Sequence, residues 1–231
     1  MRELPADSFL RVIAREVAPH AHEMLPPFVP WHRRAVEPTE LDFYEWYYAY
    51  GRLLKPQTML EIGVLGGASV VAVCLGAGSS LCEVHLIDDE SHDRRESLAD
   101  AANAVMRAAP CAQVSMFRED SQRLARLPAG PQFDLISLDG DHRVGPCFHD
   151  LRICLPRLAE DGHVLVDDAQ WSWVQEACDA FTAVHPELDD LFVATKTGTR
   201  VLHRAGEHLL RCPLLIMSNS DESRKPKAES R

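Results

Sequence analysis

The chain has 231 residues, of which 35 are Asp or Glu and 24 are Lys or Arg, so its formal net charge is −11 and its pI is near 5.4. This length suits one α/β domain with a substantial core. The acid excess excludes a nucleic acid or an anionic membrane as the expected partner, because their phosphates would be repelled and no strong basic patch is visible.

Targeting signals and cysteine usage both suggest a cytoplasmic protein. The first seven residues lack the basic region and the apolar stretch of a secretory signal. The longest uncharged run, 62–82, contains five glycines, which favours a strand, a turn and a helix over a membrane span. None of the seven cysteines has C-x-x-C spacing, and several stand singly in apolar surroundings, as small buried thiols do: Cys74, Cys154 and Cys178.

Residues 1–56 are predicted to form a helical extension or lid. An amphipathic helix begins near Phe9, and Thr39 is a candidate cap for a second helix that is dense in aromatic residues over 43–50. Two interpretations remain open. The aromatic face packs onto the main core, it forms a lid or the wall of a substrate pocket, or it does both. The same surface would also suit a homodimer contact.

From Thr58 onward, short apolar strands alternate with helices, which predicts parallel strand pairing through right-handed crossovers. Lys196-Thr-Gly-Thr then has the composition of a hairpin turn. The predicted fold class is α/β: a Rossmann-like, doubly wound and mostly parallel seven-stranded sheet over 57–217, with a C-terminal antiparallel hairpin and the N-terminal helical extension. A polar tail over 218–231 is predicted to be disordered. The predicted strands are 58–62, 83–87, 112–117, 133–138, 163–166, 191–195 and 200–203, and the predicted helices are 68–75, 94–109, 148–158 and one with Val174, Ala177 and Phe181 on one stripe.

Carboxylates follow every predicted parallel strand. Ligands of an open parallel sheet bind beyond the carboxyl ends of its strands, so these positions carry the most information about function. Solvated loop acids would explain one or two such positions but not all five. The groups are Glu61-Ile-Gly63, Asp88-Asp89, Asp120-Ser121, Asp139-Gly-Asp141-His142 and Asp167-Asp168.

The first of these loops is a glycine-rich turn between a strand and a helix. It differs from the dinucleotide pattern G-x-G-x-x-G, because Leu65 and Ala68 occupy the second and third glycine positions, and this disfavours a nicotinamide dehydrogenase. Asp88 stands 25 positions after Gly63, at the end of the second strand, where a carboxylate can accept both hydroxyls of a ribose. The pair predicts a nucleoside-containing ligand.

Together these motifs resemble the class I S-adenosylmethionine-dependent methyltransferases. More narrowly, they resemble the small-molecule O-methyltransferase-like subfamily (methyltransferase domain 24 type), over about residues 57–205. The motifs that carry this resemblance are Glu61-Ile-Gly63-Val-Leu-Gly-Gly67-Ala-Ser69, Leu138-Asp-Gly-Asp-His142 and Gly162-His-Val-Leu-Val-Asp-Asp168.

The resemblance implies a set of cofactor-binding residues. Glu61, Gly63 and Gly67 would line the methionine part of S-adenosylmethionine, with Ser69 in the turn beneath it. Asp88 would hold the ribose, with Asp89 beside it. Asp139 would face the sulfonium and the acceptor. Asp120 and Ser121 would lie at the adenine edge.

A metal site is predicted where Asp139, Asp167 and Asp168 converge at adjacent strand ends, because three carboxylates repel one another unless a cation joins them. All-oxygen ligation favours Mg²⁺ or a similar ion. Metal-dependent O-methyltransferases place ligands at these strand ends, although the catechol type usually has Asn at position 168 and the sugar type usually has Glu at position 167. Alternatively, Asp141 or Asp168 caps the helix that follows it.

His142 matches the position of the general base in the sugar-type enzymes, so His142 and Asp139 are the predicted catalytic residues. A neutral imidazole beside an acceptor hydroxyl could take its proton. Trp171 and Trp173 follow the Asp pair. We expect Trp171 to line the acceptor pocket and Trp173 to pack the following helix onto the sheet.

The leading prediction is methyl transfer to a hydroxyl of a small molecule of the sugar or phenol type. One alternative is metal-independent N- or O-methylation, in which the carboxylates orient an amine. Another is a non-catalytic cofactor-binding protein that recognises a partner through the aromatic segment 43–50.

Overall fold

The computed structural model describes residues 43–91, 97–193, 195 and 197–204. The predicted helix near Phe9, the Thr39 cap and the tail over 218–231 lie outside the described residues. Within the part of the chain that is described, no helix has the length and apolar character that crossing a bilayer requires.

Within the described residues, seven strands form one sheet in the order β3-β2-β1-β4-β5-β7-β6, and the first five of them in chain order pair in parallel. β7 is antiparallel to both of its neighbours. The predicted fold class is therefore confirmed. The strands are β1 (Thr58–Ile62), β2 (Glu83–Asp88), β3 (Gln113–Arg118), β4 (Phe133–Leu138), β5 (Leu158–Val166), β6 (Leu188–Val193) and β7 (Thr199–Arg204).

The helices lie on both faces of the sheet, where two separate apolar clusters form the core. One cluster joins the first three helices to the sheet, and the other joins the last two. Val174, Ala177 and Phe181 are buried on one stripe, as predicted. The helices are α1 (Phe43–Leu54), α2 (Ala68–Ala77), α3 (Leu98–Ala108), α4 (Val144–Cys154) and α5 (Ser172–Val184).

The predicted boundaries around α4 were wrong. The helix begins at Val144 rather than at 148, and Pro146 fits in its first turn, where the backbone nitrogen needs no intrahelical partner. It ends at Cys154, and a 3₁₀ turn that contains Pro156 follows it. β5 starts at Leu158, five residues earlier than predicted, and an irregularity in its register with β4 accommodates the extra length.

α1 packs tightly against α2, and glycine on each helix makes the contact possible. A Cβ atom on Gly51 would lie 3.0 Å from the Cα of Val73, and one on Gly76 would lie 2.8 Å from the backbone nitrogen of Arg52. Trp46, Tyr47 and Tyr50 have no exposed surface, so the aromatic segment is a core element, the first of the two predicted interpretations. These buried rings are also unavailable for the partner recognition that the non-catalytic alternative required.

Candidate active site

A cleft of about 560 Å³ opens at the carboxyl ends of β1, β2, β3 and β4. This volume lies within the usual range for sites that bind small molecules and cofactors. Seven of the predicted site residues line the cleft: Gly63, Asp88, Asp89, Asp120, Ser121, Asp139 and His142.

The glycine turn brings the end of β1 against the end of β4. Gly63 has a φ of +80°, and a Cβ atom there would overlap the carbonyl oxygen of Asp139 and lie 2.6 Å from the nitrogen of Gly140. Gly67 also has positive φ, caps α2 and lies close to Ala101. Glycine is required at position 63 for both the backbone conformation and the close approach.

Glu61 lies beneath this turn rather than on the wall of the cleft. Its Oε1 accepts hydrogen bonds from Ser69 and, at 3.3 Å, from Ser137, whose hydroxyl is 3.0 Å from that of Tyr47. Its Oε2 is buried with no hydrogen-bond partner. Burial raises the pKa of Glu61 to about 8, against the opposing effect of the Ser69 hydrogen bond. The carboxyl of the free protein is therefore mostly protonated at neutral pH.

Asp88 organises the glycine turn as well as lining the cleft. Its Oδ2 accepts hydrogen bonds from the backbone nitrogens of Val64 at 2.8 Å and Leu65 at 3.1 Å, and its Oδ1 accepts one from Glu90. Asp89 accepts a hydrogen bond from the backbone nitrogen of Ser91. Each of these carboxylate oxygens has a second lone pair with which it can accept a ligand hydroxyl.

The predicted adenine edge is a short 3₁₀ turn over Ser121–Arg123. Asp120 caps this turn by accepting a hydrogen bond from the backbone nitrogen of Gln122 at 2.9 Å. The Nε2 atom of His149 lies 3.0 Å from the carbonyl oxygens of both Ser121 and Leu124, so α4 supports the turn from behind.

His142 lies between two carboxylates at the other end of the cleft. Its Nε2 is 3.3 Å from Oδ1 of Asp139 and 3.5 Å from Oδ2 of Asp168, but it meets hydrogen-bond geometry with neither. The neighbouring carboxylate of Asp139 raises the pKa of His142 despite partial burial.

Of the three predicted metal ligands, the structure brings together Asp139 and Asp168 but not Asp167. Among the described residues, the candidate ligand atoms of Asp139, His142 and Asp168 lie within 4.8 Å of one another. Asp167 is 5% exposed and accepts a hydrogen bond from Thr197 at 2.8 Å. Burial and the neighbouring Asp139 raise the pKa of Asp167. Two carboxylates and an imidazole are a donor set that suits a divalent cation, and Asp167 stands behind them.

The helix-capping alternative is not seen. α4 and α5 are fully described, and neither has a side-chain hydrogen bond at its N-cap. Asp141 instead forms a bidentate ion pair with Arg143. Asp168 has a φ of 51°, a left-handed conformation that Asp tolerates better than most residues.

Both tryptophans line the cleft, so the predicted division between them was wrong. Trp171 is 46% exposed and Trp173 is 54% exposed, because each lies at the start of α5 rather than on its buried stripe. The Trp171 ring lies 5.3 Å from that of His142, edge to face. The two indoles form an apolar wall beside the acidic group.

Several residues of the site were missed at the level of sequence. Gln122 lines the cleft, and Asp150 supports it from α4. A signal for Asp150 existed, because it falls on the buried stripe of α4 with Cys147, Leu151 and Cys154, where an acid is unusual. Tyr47 and Ser137 had no comparable signal, since their contact joins positions 90 residues apart.

Residues 60–169 match a family model described as a methyltransferase domain. Among curated proteins, none matches this sequence. The solved structures that resemble the chain share its fold at low sequence identity, and these include three methyltransferases.

The methyltransferase PaMTH1 of Podospora anserina, bound to S-adenosylhomocysteine, has a TM-score of 0.54 at 18% identity, covering 89% of this chain and 100% of its own. The O-methyltransferase TomG of Streptomyces achromogenes, involved in tomaymycin synthesis, has a TM-score of 0.53 at 16% identity. The match covers 84% of this chain and 90% of TomG. An O-methyltransferase of Bacillus cereus has a TM-score of 0.52 at 19% identity, and the match covers 87% of this chain and 92% of the Bacillus chain.

Residues 60–169 thus match a methyltransferase domain, and the sheet has the fold of the solved methyltransferases described above. The match over this part of the chain confirms the resemblance that the three motifs predicted.

Proposed function

We propose that this protein methylates a hydroxyl group of a small molecule of the sugar or phenol type. The observation that carries the proposal is the arrangement of one cleft, in which the ribose-binding candidate Asp88 and the candidate base His142 line the same cavity. S-adenosylmethionine, when bound, supplies the methyl group that is transferred from its sulfur to the acceptor oxygen.

The loops around the cleft fit the parts of this cofactor. Gly63 lines the cavity together with Asp88 and Asp89, whose carboxylates would accept a ribose diol there. Ser121 and Gln122 offer polar groups beyond it. Positioning of both reactants in one water-restricted cleft supplies much of the acceleration in this kind of transfer.

His142 is the proposed general base. It takes the hydroxyl proton on Nε2 while the acceptor oxygen forms its new bond to carbon. The base must be the neutral imidazole, and Asp139 opposes this form because it raises the pKa of His142. Nε2 of His142 faces the acidic group, 3.3 Å from Oδ1 of Asp139.

Asp139 and Asp168 are the residues that would hold a divalent cation, with Asp167 behind them and Nε2 of His142 left free to accept the proton. Such an ion, when bound, would supply positive charge that lowers the pKa of an acceptor hydroxyl. The same charge would offset the repulsion between the carboxylates and favour the neutral form of His142. Trp171 and Trp173 would then form the apolar wall of the acceptor site.

Metal-independent methylation of an amine or a hydroxyl is the second candidate. His142 already lies at ion-pair distance from both carboxylates, so the group is partly neutralised without a metal. In that case the carboxylates would orient the acceptor directly.

Methyl transfer from labelled S-adenosylmethionine to a panel of phenols, sugars and amines tests the proposal, with and without EDTA. We expect transfer to a hydroxyl that is lost in EDTA and restored by Mg²⁺ or Mn²⁺. His142→Gln should abolish turnover while leaving S-adenosylhomocysteine affinity within about threefold of wild type, because the residue lies away from the ribose site. Turnover that EDTA does not impair would favour the second candidate.

A further inference from the structure

Asp150 is a buried carboxyl group that the proposed chemistry does not use. It lies on α4, is 2% exposed and does not line the cleft. Most charged side chains at such a position are paired or have a local structural task. Asp150 contacts residues that themselves line the cleft.

One of these contacts is with the turn at the predicted adenine edge. Oδ1 of Asp150 accepts a hydrogen bond from Nε2 of Gln122 at 2.9 Å, and the hydroxyl of Ser121 also hydrogen-bonds the carboxyl group. Both partners line the cleft, whereas Asp150 stands behind them. The same Gln122 nitrogen lies 3.3 Å from the carbonyl oxygen of Pro146, so the amide is tied twice to α4.

The other oxygen faces the loop after β4. A Cβ atom on Gly140 would lie 3.2 Å from Oδ2 of Asp150, so the carboxyl fills the space directly beneath this loop. Gly140 follows Asp139 and lines the cleft. A single buried side chain therefore contacts two of the loops that shape the cavity.

We propose that Asp150 is a positioning residue for the cofactor, because it fixes Ser121 and Gln122 so that their polar groups are presented to the adenine end of the cleft. The inference rests on the proposed function, since it takes the cleft to be the S-adenosylmethionine site. Asp150 touches no reacting atom. Its effect is on binding.

The charge state of Asp150 provides a readout that a purely structural role would not give. Burial raises its pKa to about 6, opposed by the Ser121 hydrogen bond and by the charge of His149, while Asp141 and Asp120 also raise it. Protonation converts one oxygen into a donor and makes the carboxyl a weaker acceptor, so its hydrogen bonds from Ser121 and Gln122 weaken. Cofactor affinity should therefore fall as the pH decreases through about 6.

Titration calorimetry with S-adenosylhomocysteine tests the proposal on the whole chain. Asp150→Ala removes both hydrogen bonds and should weaken binding about tenfold or more. Asp150→Asn keeps an acceptor for Gln122 and should weaken it about threefold. Between pH 7 and pH 5, wild-type affinity should decline more steeply than that of Asp150→Asn; His149, Asp120 and Asp141 are unchanged in both proteins, so the difference between the curves isolates Asp150.

Asp134 provides a matched control. Its Oδ2 also accepts two hydrogen bonds, from the backbone nitrogens of Gln57 and Thr58, but at the opposite end of the sheet. Asp134→Ala should lower the melting temperature and leave S-adenosylhomocysteine affinity unchanged. Equal affinities and parallel pH curves for wild type and both Asp150 variants would overturn this inference alone. Failure of the wild-type protein to bind S-adenosylhomocysteine would overturn the proposed function and this inference with it.

Discussion

The backbone of Gly63 lies directly against the carbonyl group of Asp139. This contact joins the loop after β1 to the loop after β4, and so joins the predicted methionine site to the predicted acceptor site. Gly63 also donates a backbone hydrogen bond to Ile87 at 3.0 Å. The floor of the cleft is thus formed by backbone from the ends of three strands, β1, β2 and β4, that contact one another.

Gly63→Ala should disrupt both the fold and ligand binding. The new methyl group meets rigid backbone, and the φ of +80° disfavours any side chain. We expect a loss of about 3 kcal/mol, or roughly 6–12 °C in Tm, and no measurable S-adenosylhomocysteine binding. Gly145→Ala is the control, since a Cβ atom there meets nothing within 4 Å. Thermal unfolding gives the Tm of both variants, and calorimetry gives their affinity for S-adenosylhomocysteine. Equal values for the two variants would contradict the prediction.

Asp88→Ala should weaken S-adenosylhomocysteine binding at least about tenfold, since it removes an acceptor from the ribose site, two hydrogen bonds from the turn at Val64 and Leu65, and one from Glu90. Glu160→Ala, at an exposed position within β5, should bind like wild type. Calorimetry at neutral pH measures both. Wild-type affinity in Asp88→Ala would show that the ribose lies elsewhere.

Stability should depend on pH through Glu61. Its pKa is raised in the folded protein to about 8, above its ordinary value of 4.5, so the native state holds a proton that the unfolded state releases in this range. The stabilising contribution of that proton is complete below pH 4.5 and is lost as the pH rises through 8, by at most about 1.4 kcal/mol per pH unit. Urea unfolding of wild type and Glu61→Gln from pH 5 to pH 8 should give a shallower slope for the variant; parallel curves would contradict the assignment.

Tyr47 and Ser137 should be energetically coupled. Their hydroxyl oxygens are 3.0 Å apart in the core, and Ser137 continues to Glu61. A double-mutant cycle of Tyr47→Phe and Ser137→Ala should give a coupling of about 1 kcal/mol in the free energy of unfolding. Tyr50 bonds His163 instead, so the cycle of Tyr50→Phe with Ser137→Ala should be additive. Additivity in both cycles would show that the Tyr47 hydrogen bond adds nothing to stability.

The sheet and most of its site could be predicted because they depend on local patterns. Apolar runs that end in carboxylates mark the strands, and parallel pairing gathers their ends at one edge. The hairpin was predicted from Lys196-Thr-Gly-Thr, and Gly198 has the positive φ that such a turn needs.

Contacts between distant positions could not be predicted in this way. Whether Trp173 packs or faces the cleft depends on where α5 begins, and a shift of one or two residues reverses the answer. The close approach of Gly51 and Gly76 depends on how two helices cross. The surroundings of His142 also depend on long-range packing, because its two carboxylate neighbours, Asp139 and Asp168, follow different strands.

The position of β7 between β5 and β6 has a consequence for synthesis of the chain. β6 is made first but has no hydrogen-bonding partner in the sheet until β7 is inserted beside it. A nascent chain that ends before Thr199 therefore leaves one edge of β5 open and β6 unattached, which is a template for association with other chains. During synthesis, the described part of the sheet would therefore be complete only once β7 has emerged.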